Sequence, residues 1–394
     1  MTKGKTEIKR TLGLDAHPDS FTAAIVVGRI PHEAVVEKVS DAIELEEMER
    51  WFERYVDRDT TVVLEASGNS FAIYERLCAV GYHVLVLDSE QVGKIGKSYC
   101  NTDKISAVRL ARAFLTGLSD NVWVPDPVTR QRREVFGTYM QATKDSTRNS
   151  NRIKSMLNEY TIRMKKGLKT LSNPKAKEFV FSAREWTEAQ RVLLDESFSD
   201  LERSKEKQAR LRKMMSREVL HDPLMLQLLR IFGISKINAY GLIAMIGDPH
   251  RFSSPKKMSA YFGLNPKVKE SGKTKKLGGI SKKGRKDMRS LLIQAAHVVL
   301  RHNSKGNPLY NWGWKMNYRK GRNVAAVAIA RKISVAIWYM LMGKPFKARE
   351  RTATLTRKLQ NLAKELGVKE IKSMGFKTYN HFAEHKLQQL GEFT

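Results

Sequence analysis

The sequence predicts an α/β domain with a mixed sheet, followed by a chain that is mainly α. Three observations support this. Strand and helix signals alternate over the first 120 residues. From about Thr129 to Ser216 the composition turns polar, with Lys and Arg interleaved among spaced Met, Leu and Ile. After His221-Asp222-Pro223 short helical patterns alternate with glycine turns.

Taken in order, Thr11–Leu14, Thr22–Val27 and Val35–Val39 are rich in β-branched and apolar residues and read as strands. Ile43–Tyr55 has helical periodicity, Thr61–Leu64 reads as a strand and Ser70–Val80 as a helix. Tyr82–Leu87 is a buried strand and Lys104–Leu118 a helix. The 129–216 segment, interrupted at Ser172-Asn173-Pro174, reads as two long antiparallel, coiled-coil-like helices; a charged helix that only spaces two domains is the alternative. Leu228–Phe232, Gly233 and Ile237–Met245 suggest a helical hairpin whose turn amides could hold a phosphate, although Ser235 stands where a second glycine is expected. Val324–Gly343 is the most membrane-like run. Arg331 and Lys332 at its centre would each cost about 2.5–3.5 kcal/mol in a bilayer, so it reads as a core helix stopped by Gly343 and Pro345. Lys347–Thr394 reads as a basic tail with helical patches and no clear core.

The 394 residues carry 71 Lys and Arg against 41 Asp and Glu, a net charge of +30, which points to a polyanionic partner, foremost nucleic acid. The charge is unevenly placed. Residues 1–120 hold 15 basic and 19 acidic residues, a net of −4, so the remainder carries +34. Two cysteines, Cys78 and Cys100, exclude a disulfide framework and a cysteine-rich zinc site, which fits a reducing cytoplasm. No apolar stretch of signal-peptide length follows the basic first ten residues, so export is not expected.

Asp15 follows Leu12-Gly13-Leu14, Glu65 ends Val62-Val63-Leu64, and Asp103 opens a helix. Acids at neighbouring strand ends and a helix start can converge on one sheet edge and hold Mg²⁺; taken singly, each is also an ordinary cap. Pro255–Arg289 has 12 Lys and Arg against Glu270 and Asp287, with five glycines that would admit close phosphate approach. Lys267, Lys269, Lys273, Lys275, Lys276, Lys282, Lys283, Arg285, Lys286 and Arg289 are the nucleic-acid candidates in this run. Within it, Ser271 lies beside Gly272 among cations that would stabilise an alkoxide; such a pair is also an ordinary turn. Two near-matches fail. Gly93–Ser98 lacks the first phosphate-loop glycine, which would fall on Gln91, and the His381–His385 zinc-like string has nine residues after it, too few for a downstream ligand helix.

In this order, Gly13-Leu14-Asp15, Leu64-Glu65-Ala66-Ser67-Gly68, Thr102-Asp103-Lys104, Tyr261-Phe262-Gly263-Leu264-Asn265-Pro266, Glu270-Ser271-Gly272, Ile280–Gly284 and Ala295-Ala296 resemble insertion-sequence transposases with an acidic RuvC-like N-terminal domain and a serine-containing C-terminal domain. That family includes bridge-RNA-guided recombinases and pilin-gene invertases, and the resemblance runs from about Leu12 to Phe346. It implies an RNase-H-like domain over 1–128, a stalk over 129–222, a transposase domain over 223–346 and a basic tail over 347–394. It further implies that Asp15, Glu65 and Asp103 bind metal and that Ser271 is a nucleophile forming a phosphoserine intermediate with DNA. Donor and target double-stranded DNA, a non-coding guide RNA and a dimer or tetramer are the implied partners, with no membrane and with action on the nucleoid. The family's fourth acid should stand three residues after Asp103, where this chain has Ser106. A metal-dependent nuclease using water, or an idle nucleic-acid-binding protein, are the competing expectations.

Overall fold

The computed structural model describes residues 9–95, 102–271, 274–301, 308–346 and 351–391. The chain divides into two compact units, Met1–Pro125 and Asp126–Thr394.

The first unit is built on a five-stranded sheet in the order β3-β2-β1-β4-β5. β1 (Arg10–Ala16) pairs antiparallel with β2 (Ser20–Val27), which pairs antiparallel with β3 (Val35–Glu44). After α1 (Met48–Tyr55), β4 (Thr61–Glu65) lies parallel to β1, and after α2 (Ser70–Ala79), β5 (His83–Leu87) lies parallel to β4. α3 (Ser89–Ile95) and α4 (Asp103–Leu115) follow. Strand parity separates two faces. Leu12, Leu14, Val62 and Leu64 pack with Trp51 and Phe52 of α1 and Ile73 and Leu77 of α2. Val63 packs on the other face with Leu110 and Ala113 of α4.

Two expected bounds are corrected here. Ile43 and Glu44 belong to β3, because a bulge between Phe21 and Ala23, with Ala42 at φ 49°, lets the strand run on beside β2. α4 stops at Leu115 rather than Leu118: Thr116 caps it and Gly117 turns left-handed at φ 66°. Gly93–Ile95 lie in α3, and Gly96–Ser98 fall outside the described residues, as does Cys100; Cys78 is a free thiol.

In the second unit α5 (Pro127–Glu159) and α7 (Glu188–His221) run antiparallel. Arg132 bonds Glu218 at 2.9 Å, Gln208 bonds the Ala142 carbonyl at 2.9 Å, and Gln190 bonds the Tyr160 hydroxyl at 2.7 Å, so the numbers rise along one helix as they fall along the other. Both helices start on side-chain caps: Asp126 with Pro127 for α5, and a Thr187–Gln190 capping box for α7. Their far end has its own core, in which α6 (Pro174–Ser182) contributes Val180 beside Ile153, Leu157, Trp186 and Leu194. Their near end joins the main core through Phe136, Met215 and Val219.

That main core gathers α8 (Pro223–Leu228), α9 (Lys236–Ile246), α10 (Pro255–Tyr261), α11 (Lys286–Arg301), α12 (Pro308–Lys320) and α13 (Arg322–Leu341). A hairpin of β6 (Pro266–Ser271) and β7 (Thr274–Ile280) interrupts the helices. α13 is long and apolar enough to cross a membrane, but Ile329, Ile333 and Ile337 are fully buried in this core. Of the segment expected as helix at Leu228–Phe232, Leu228 ends α8 and the rest forms the turn after it. Asp222 caps α8 with Pro223 behind it, which moves the helix upstream. Ser235 caps α9 by accepting from Asn238 N–H, and occupies the place proposed for a phosphate-binding glycine.

The supposed tail is also corrected. α14 (Thr352–Leu366), α15 (Val368–Ser373) and α16 (Tyr379–Gly391) bury Leu355, Leu359, Leu362, Leu366, Ile371 and Phe382 in the main core. His381 and His385 both pack on the Phe376 ring, which gives that string a structural place.

Candidate functional site

Asp15, Glu65 and Asp103 sit in the first unit, and the fold brings them to one sheet end. Leu14 pairs with Leu64 in parallel register, so the next positions, Asp15 and Glu65, are neighbours at the ends of β1 and β4. Both lie on the α4 face by parity with Gly13 and Val63. Gly13 sets the approach of α4. A Cβ there would fall 2.0 Å from the Ala107 carbonyl oxygen and 2.8 Å from the Ala111 nitrogen, so the helix backbone lies directly on the strand. Thr102 caps α4 by accepting from Ile105 N–H, which places Asp103 in its first turn.

Asp15, His17 and Asp103 each offer a ligand atom within 4.8 Å of the others. His17 is the residue that sequence reasoning missed. Its Nε2 lies 3.2 Å from Asp103 Oδ2, yet that buried nitrogen has no aligned hydrogen-bond partner. The turn bearing it is pinned at the backbone: His17 N–H donates to Ser20 O, and Asn69 Nδ2 donates to His17 O at 2.6 Å. The signal was the Asp15-x-His17 spacing, which sets both residues at one strand end. Glu65 lies outside this triplet but is coupled to it electrostatically. Burial pushes its carboxyl up, the Asp15 charge adds to that, and Arg109 opposes. Burial also pushes Asp15 up; His17 opposes, the Asp103 charge reinforces, and a hydrogen bond from the Ser106 hydroxyl opposes. Ser106, three residues on from Asp103 in α4, thus donates to the Asp15 carboxylate.

An imidazole nitrogen with no aligned partner, in a cluster where Asp15 resists ionisation, fits a divalent cation, which would satisfy the nitrogen and relieve the repulsion. Asp15, His17 and Asp103 would hold it, with Glu65 adjoining.

Ser271 and the basic candidates sit in the second unit. Ser271 is exposed at the end of β6, paired with Thr274 across a two-residue connection. Gly272 and Lys273 lie outside the described residues, as do the side chains of Lys269, Lys275 and Lys276. Lys267, Lys282, Lys283 and Lys286 are exposed. Arg289 is not part of such a surface: it is 9% exposed, and its guanidinium donates to the Phe262 carbonyl at 3.1 Å. Arg285 is committed locally too, at 2.9 Å from Asp287. The expected use of glycine for phosphate approach is likewise corrected at Gly263 and Gly284. A Cβ on Gly284 would fall 2.2 Å from Tyr261 O, and one on Gly263 2.1 Å from Lys283 O, so both serve backbone against backbone.

Residues 12–162 match a DEDD transposase family of the IS110 type, and residues 225–311 match the family described as Transposase IS116/IS110/IS902. The transposase for insertion sequence element IS1111A of Coxiella burnetii is 26% identical over 291 residues, 71% of this chain and 77% of that protein. The transposase for insertion sequence element IS1328 of Yersinia enterocolitica is 35% identical over 113 residues, 28% of this chain and 34% of that protein. Two successive stretches of the chain thus match models of IS110-type transposases, the first of them the DEDD domain, and the Coxiella transposase aligns with it over most of its length.

Proposed function

We propose that this transposase cleaves and rejoins DNA through divalent-cation chemistry at Asp15, Glu65 and Asp103, with His17 completing the ligand set and Mg²⁺ as the resident ion. The carrying observation is the convergence of Asp15, His17 and Asp103 within 4.8 Å at the sheet end. A bound cation would neutralise charge developing on the phosphoryl oxygens and make the attacking oxygen easier to deprotonate. The protein's own work is positional: Gly13 and the Thr102 cap set Asp103 over β1, and Ser106 orients the Asp15 carboxylate.

Ser271 is the proposed nucleophile. Its exposure at the end of β6 leaves the hydroxyl reachable by a DNA phosphate, and the neighbouring lysines would hold the strand. A guide RNA and a dimeric or tetrameric assembly complete this reading. They draw on the family resemblance, and the charge of +34 on the second unit suits a polyanionic partner. A second reading, in which water attacks, is favoured by the DEDD match, since such acids suffice for hydrolysis.

The test is strand cleavage of element-end DNA by the full chain with Mg²⁺. Asp15→Asn, Glu65→Gln and Asp103→Asn should each abolish cleavage while the protein stays folded; retained cleavage in all three overturns the metal site. A covalent protein–DNA adduct lost in Ser271→Ala establishes the serine route. Nicking that persists in Ser271→Ala establishes the water route.

A further inference from the structure

We propose that the outward face of α12 is a stacking platform for an unpaired DNA strand. Leu309 and Gly313 are buried and turn one side of α12 to the core, while Trp312 is half-buried under the Lys332 ammonium, 4.7 Å from its ring centre. The opposite side carries Trp314 and Tyr318, 47% and 89% exposed. Trp51, Trp186 and Trp338 are all under 10% exposed and Trp123 and Trp312 are half-buried, so Trp314 is the exception. Adjoining exposed rings rimmed by polar side chains are the pattern of an interaction surface rather than of scattered apolar exposure.

Trp314 and Tyr318 are four residues apart, and Lys315 and Arg319 repeat that spacing beside them. The four line a shallow recess of about 370 Å³. α12 contains no acidic residue, ends in Arg319 and Lys320, and is followed after one glycine by Arg322. A protein partner would meet rings in a charge-depleted centre, whereas here cations alternate with the rings. The matching ligand must be flat-faced and anionic, which describes nucleic acid. A duplex hides its base faces, so the strand must be unpaired. The rise between the two ring-bearing positions is ~6 Å, close to twice the ~3.4 Å spacing of bases along a strand, which suits one base lodged between two rings. DNA is the source because strand exchange on DNA leaves ends that must be kept apart from their complements until they are rejoined. The proposal rests on the reading of this chain as a DNA-processing transposase.

The experiment measures binding of a labelled oligothymidylate by the full chain in EDTA, so that its result is independent of metal chemistry. Trp314→Ala and Tyr318→Ala should each weaken binding about tenfold and the double variant about a hundredfold. Trp314→Phe with Tyr318→Phe should restore most of it, with duplex affinity changed less than about twofold. Because both side chains are exposed, thermal unfolding should be unchanged. Unaltered oligothymidylate affinity in the double alanine variant overturns the proposal. So does a larger loss for oligouridylate than for oligothymidylate, which assigns the face to RNA, or a change in particle mass with DNA affinity retained, which assigns it to a protein contact.

Discussion

Asp15 is held in a place that resists its charge. Burial acts first, and the Asp103 carboxylate adds repulsion, while His17 and the Ser106 hydroxyl only partly offset both. A carboxyl raised in the folded state binds its proton more tightly there than in the unfolded chain. Without metal, stability should therefore fall as pH rises from the ordinary carboxylate range through the folded pKa, then level off. Ser106→Asp tests this balance. It exchanges a donor for a second carboxylate, so in EDTA the variant should melt below wild type, with a steeper decline between about pH 4 and 7. With Mg²⁺ the order should reverse, since the added carboxylate lies on the helix face of Asp103, and cation affinity should rise about tenfold. A melting temperature that ranks the two proteins the same way in EDTA and in Mg²⁺ would remove position 106 from the site.

At the scale of elements, the site depends on how closely α4 approaches β1. Gly13→Ala puts a methyl against the backbone of Ala107 and Ala111, neither of which can rotate away as a side chain could. The helix must shift, at a cost of about 1–3 kcal/mol. Asp103 and Ser106 move with it, so Mg²⁺ should no longer raise the melting temperature. A variant that loses stability yet keeps its Mg²⁺ response would show that α4 does not position the ligands. This geometry was half legible in the sequence. The strand ends were readable because β1 and β4 are short apolar runs that each close on an acid, Leu12-Gly13-Leu14-Asp15 and Val62-Val63-Leu64-Glu65. His17 was not, because its participation depends on a turn held by Asn69, 52 positions further along the chain. The closing helices show the same limit. Leu355, Leu359, Leu362 and Leu366 have the 4-3-4 spacing of a buried stripe, but the surface that covers them comes from α7 and α16, which local periodicity cannot supply. Arg289 misled in the other direction, since a cation in a basic run looks identical whether it faces phosphate or a buried carbonyl.

Across the whole molecule, charge and chemistry are divided between the units. Residues 1–120 carry −4 and hold the acids, and the rest carry +34. At neutral pH the acidic cluster repels a phosphodiester until a cation binds, so affinity for DNA must come from the second unit. The exposed lysines of the hairpin region are its first candidates, and the buried arginine beside them is not. Replacing Lys267, Lys282, Lys283 and Lys286 together by alanine should flatten the plot of log affinity against log salt by about 3–4, which corresponds to ~0.9 for each phosphate no longer neutralised. Arg289→Ala should leave the slope unchanged and lower the melting temperature, because it strands the Phe262 carbonyl that the guanidinium satisfies. An unchanged slope in the quadruple variant would move the main phosphate-binding surface off this face. A slope change in Arg289→Ala, with stability intact, would return that arginine to the DNA surface and show that its bond to Phe262 yields when phosphate arrives.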